Sequence, residues 1–140
     1  MVLVPRTVWQ EVERHQPTAL RHRTVPYRLV ESVPAASSPW QAVFDSLELD
    51  AGEREALSLL SDYPDAELLT DDADARAAAE HLGHAVRGTV GVILQAWYQG
   101  RKSRRQAMNL LQGIPRRSTL HVRRELLESA ITQVRESARE

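Results

Sequence analysis

Apolar positions along this chain recur at two spacings, and their alternation predicts an α/β architecture. Met1-Val2-Leu3-Val4 is a short apolar run that predicts a strand, and Pro5 is placed to open a helix behind it. Residues 6–14 carry Val8 and Val12 at i, i+4 with Glu11 beside them, which predicts that helix. Residues 15–26 hold two prolines, two histidines and two arginines and read as loop. Tyr27 to Val33 alternates as a strand does, and 34–39, rich in Pro, Ala and Ser, reads as a linker. Trp40, Val43, Phe44 and Leu47 follow the i, i+3, i+4, i+7 spacing and predict a helix over 39–48.

The pattern then repeats. A helix over 52–62 uses Ala56, Leu57, Leu59 and Leu60, and Tyr63-Pro64-Asp65 ends it. Glu67 to Thr70 predicts a short strand. The next helix, 72–82, places Ala75, Ala78, Ala79 and Leu82 on one side and stops at Gly83. Ala85-Val86 predicts one more strand. Thr89 is the expected cap of a helix carrying Val90, Ile93, Leu94 and Trp97, closed by Gly100. Helices over 103–112 and 121–137 complete the chain, and there is no tandem repeat. Short strands alternating with helices predict a mainly parallel sheet. Ligands of such sheets gather at the carboxyl ends of the strands, where Asp71 and Asp72 follow Thr70.

Length and composition narrow the picture. The 140 residues predict one domain, 1–140, with a core of Leu, Val, Ala and Ile because aromatics are only 5%. Zero cysteines exclude disulfides, Cys-based zinc sites and thiol nucleophiles. There is no apolar run long enough for a membrane span and no signal-peptide pattern, so a cytoplasmic location and no membrane partner are expected. The net charge of −1 hides an asymmetry: residues 41–80 contain twelve Asp/Glu against two Arg, whereas 101–124 contain eight Lys/Arg and no acid. Such a split suits an acidic cation site beside a basic strip for a polyanion, and equally suits two solvated faces.

The acids carry the candidate chemistry. Mg²⁺ and Mn²⁺ take oxygen ligands and keep several waters, so Glu11, Glu53, Asp71, Asp72 and Asp74 are all candidate ligands. Each has a second reading. Asp71 or Asp72 can cap the helix at 72–82, Asp72 can pair with Arg76 at i, i+4, and Glu53 suits a helix N-terminus. His81 and His84 flank Gly83 and need not share a face. No G-x-S-x-G elbow and no Gly-rich phosphate loop is present.

Several motifs occur in a fixed order. Leu3-Val4-Pro5-x-x-Val8-x-x-Glu11-Val12 comes first, then Leu49-Asp50-x-Gly52-Glu53-x-x-Ala56-Leu57. Leu68-Leu69-Thr70-Asp71-Asp72-x-x-Ala75-Arg76-x-x-Ala79, Gly83 and Arg87-Gly88-Thr89-Val90-Gly91-Val92-Ile93-Leu94 follow. This order, over most of residues 2–100, resembles PIN domains, above all the DUF3368 group of nucleic-acid-binding proteins. The resemblance implies a three-layer α/β/α fold with a short, mainly parallel sheet and a helical C-terminus. It implies a Mg²⁺- or Mn²⁺-dependent endoribonuclease, often the toxin of a toxin–antitoxin pair, with RNA as substrate, an antitoxin protein as partner and a homodimer as assembly. Glu11, Glu53 and Asp72 match the family's second, third and fourth acidic positions, and Asp71 matches the adjacent acid. Arg76 and Thr89 take supporting places, and Arg101, Lys102, Arg104 and Arg105 are the expected RNA contacts.

One departure bears on activity. PIN domains begin with a strand ending in an aspartate, the first metal ligand, and this chain begins at what resembles their second strand. The first strand, its aspartate and the first helix are therefore expected to be missing, through a start placed downstream or a truncated gene. The competing expectations are an inactive module that binds nucleic acid or an antitoxin, and a non-functional fragment. Trp97 is expected in the core, while Tyr98 is open to core or interface.

Overall fold

The computed structural model describes residues 1–21, 24–31, 40–117 and 122–138. The expected α/β character is present as short strands, in parallel pairs, between helices. Ser32, Val33, the linker at 34–39 and the expected start of the last helix at His121 lie outside the described residues.

The chain divides into two compact units, Met1–Leu68 with Asp72–Val86, and Leu69–Asp71 with Arg87–Glu140. In the first unit, β1 (Val2–Pro5) runs directly into α1 (Arg6–His15). Pro5 ends the strand and stands at the N-cap of the helix with φ −59° and ψ 152°. Its ring fixes φ where an extended residue can turn into a helix. β2 (Tyr27–Val30) returns parallel to β1, with Val2 opposite Tyr27 and Pro5 opposite Val30. Parallel strands cannot be joined by a tight turn, so α1 serves as their connection. The stretch expected to be plain loop also contains a short 3₁₀ turn, Ala19–Arg21.

The rest of this unit holds α2 (Gln41–Asp45), α3 (Ala51–Leu59) and α4 (Ala73–His81), while β3 (Leu68–Leu69) and β4 (Val86–Arg87) each have their first residue here and their second in the other unit. α2 is shorter than the 39–48 spacing predicts, but Phe44 is buried and Trp40 and Leu47 still pack on the core. That core joins Phe44 to Leu49, Leu57, Leu60, Leu68, Ala75, Ala78 and Ala79. The alanines allow α4 to approach closely, and Leu57 of α3, 1% exposed, is the best-buried large side chain of this core. β3 and β4 pair in parallel: Leu68 N–H donates to Ala85 O at 2.9 Å, and Thr70 N–H donates to Arg87 O at 3.1 Å. β4 is thus shifted one residue beyond the Ala85-Val86 expectation. Gly83 ends α4 at φ +84°, a conformation that glycine adopts without a Cβ clash.

The second unit is helical: α5 (Thr89–Tyr98), α6 (Arg104–Arg117) and α7 (Arg124–Glu136). Its core is separate and contains Val90, Trp97, Ala107, Leu111, Ile114, Leu127, Ala130 and Val134. Trp97 therefore packs inside, as its spacing predicts, whereas Tyr98 is 65% exposed. α6 does not stop at residue 112. It continues through Gly113 and Pro115 because Ile114 extends the buried Leu111 face by one turn. This packing outweighs the lost proline N–H near the helix end.

Candidate functional site

The acids of the first unit gather around the head of α3. Asp50 is its N-cap and accepts a 2.8 Å bond from Glu53 N–H, while Glu53 Oε2 accepts from Asp50 N–H at 2.9 Å. This reciprocal capping box follows from the Asp50-x-x-Glu53 spacing. Gly52 sits between them under α1. A Cβ there would stand 3.0 Å from Val8 Cγ2, 3.3 Å from Glu11 Oε2 and 3.5 Å from Asp50 Oδ1. The Gly52 position thus marks where Glu11 of α1 meets the head of α3. Without a side chain at 52, the two acidic segments can lie this close.

Electrostatics ties α4 to the same place. Burial above all pushes the Glu53 carboxyl above its usual range. The Asp50 N–H bond opposes that rise, and the neighbouring charges of Asp50, Asp72 and Asp74 add to it. Like carboxylates held together in this way favour a proton or a cation. Glu11, Glu53, Asp72 and Asp74 are all half-buried. Among the described residues, however, no three His, Asp or Glu side chains close around one point as a metal cage. Asp72 also caps α4, accepting from Ala75 N–H at 2.8 Å. Arg76, expected beside Asp72, lies 3.9 Å from Glu80.

Asp71 belongs to the second unit and holds Thr89. Oδ1 accepts from Thr89 N–H at 2.8 Å, and Oδ2 accepts from Thr89 Oγ1 at 2.5 Å. The N-cap of α5 is Gly88, which has no side chain to offer, so Asp71 supplies the carboxylate from another segment. Thr89 is the first helical residue rather than the cap expected of it, and its hydroxyl is a donor to Asp71.

The histidines serve separate contacts. His84 Nδ1 lies 3.1 Å from Ala66 O, and the His81 ring meets Trp40 edge-on at 5.6 Å between centroids. Glu55, absent from the candidate acids, accepts a 2.8 Å bond from Thr7 N–H in the first turn of α1. A glutamate in the middle of one helix carries no sequence signal that it caps another.

Arg101 and Lys102 are exposed in the connection between α5 and α6, and Arg104 and Arg105 stand in the first turn of α6. Ser103 and Gln106 form a reciprocal cap there. Ser103 N–H donates to Gln106 Oε1 at 2.9 Å, and Gln106 N–H donates to Ser103 Oγ at 3.2 Å.

Parallel strands followed directly by helices, with carboxylates at the helix heads, place the chain among α/β proteins whose ligands collect at such ends. The family model described as DUF3368: PIN domain matches residues 1–136, and the chain belongs to this PIN-domain family. Membership makes it a nuclease-like module of a family that generally uses divalent metal ions and engages nucleic acid. No curated protein and no solved structure matches it. No helix among the described residues is long and apolar enough to cross a membrane.

Proposed function

We propose that the chain is a PIN-type endoribonuclease module in which Glu11, Glu53 and Asp72 serve a Mg²⁺ or Mn²⁺ ion. The observation that carries this reading is the approach of Glu11 to the head of α3, where its Oε2 would stand 3.3 Å from a Cβ at Gly52 beside the Asp50–Glu53 capping box; the crowding of Glu53 with Asp50, Asp72 and Asp74 is consistent with it. The donor set fits a hard cation: every candidate is a carboxylate, and Mg²⁺ retains waters, so one or two direct protein ligands suffice. A bound ion supplies an activated water and offsets charge on the scissile phosphate. The protein's own part is to hold Glu53 by its capping box, Asp72 by its bond to Ala75 N–H, and Glu11 against the Gly52 backbone. We take residues 1–140 as one functional domain, since one family signature runs through both units.

A second reading rests on the capping roles. Glu53 and Asp72 both hold helix starts, which an inactive nucleic-acid- or antitoxin-binding module would also need. Cleavage of single-stranded RNA with Mn²⁺, compared among wild type, Glu53→Gln and Asp72→Asn, separates the two. The enzyme reading expects Mn²⁺-dependent cleavage abolished by either substitution at unchanged fold. RNA binding without cleavage, indifferent to both substitutions, would favour the binding module. A toxin role and a homodimer belong to the enzyme reading. They are tested by growth arrest on expression and by sedimentation.

A further inference from the structure

We draw no further inference here: the strongest candidate, the uncharged surface patch of α5 in the second unit that leaves Val92 and Tyr98 exposed, carries none because nothing in the structure shows what covers it.

Discussion

Replacing Asp71 decides between the two tasks that one carboxylate can perform. Asp71 accepts two bonds from Thr89, at 2.8 Å from its N–H and 2.5 Å from its hydroxyl. Hydrogen bonds to a charged acceptor contribute more than neutral ones, but Asp71 is exposed, which moves each toward the lower end, about 0.5–1 kcal/mol. Asp71→Ala removes both and leaves the first amide of α5 to water, so a loss of about 1–2 kcal/mol is expected. For a chain of this size that lowers Tm by roughly 3–8 °C. Asp71→Asn keeps an acceptor for Thr89 N–H and loses the charge, so its loss should be about half as large. A double-mutant cycle with Thr89→Val in urea denaturation isolates the hydroxyl bond, with a coupling of about 0.5–1 kcal/mol expected. The reasoning is refuted if both Asp71 variants match wild-type stability in chelator and differ from it only in Mn²⁺-induced stabilisation. That result would assign the Asp71 oxygens to the metal, as the resemblance implies.

Four further variants carry expectations. Glu53→Gln in chelator should raise stability modestly at neutral pH, because it removes a half-buried charge that its acidic neighbours also crowd, while Gln can still accept from Asp50 N–H. The same variant should show a smaller thermal shift on adding Mn²⁺ than wild type. Asp45 is held below the usual range by its bonds to Arg54 and Gln41. Its folded pKa is depressed, so its contribution is present above the ordinary Asp range and fades as pH falls through the lowered value. The stability gap between wild type and Asp45→Asn should therefore close on acidification. Leu111→Ala, at a fully buried position, should cost about 2–5 kcal/mol in chemical denaturation. Gly52→Ala should fail to deliver the usual gain of up to about 1 kcal/mol for a helical glycine, because the new Cβ meets Val8 at 3.0 Å.

The sequence by itself determined most of the elements and part of the site. Periodicity located β1, α1, α3, α4 and α5, because each carries a clear apolar stripe or run. Glu53 was expected at a helix N-terminus, and its capping box with Asp50 adds the partner that expectation lacked. Gly83 and Gly100 announced helix ends because both adopt positive φ, at +84° and +73°. The ordered motifs carried the PIN resemblance, and the family match over residues 1–136 agrees with it.

What only the tertiary structure decided are relations between distant residues. Ile114 carried α6 past Pro115 because burial against a packed core outweighs local propensity. Asp71 capped α5 and Glu55 capped α1, although neither lies next to the helix it serves. Arg135 joined Arg104 and Arg105 in one cleft because α6 and α7 pack together. Local propensity reads a few residues at a time, and these contacts join positions eighteen to forty-eight apart, which only the folded chain brings within hydrogen-bond or lining distance.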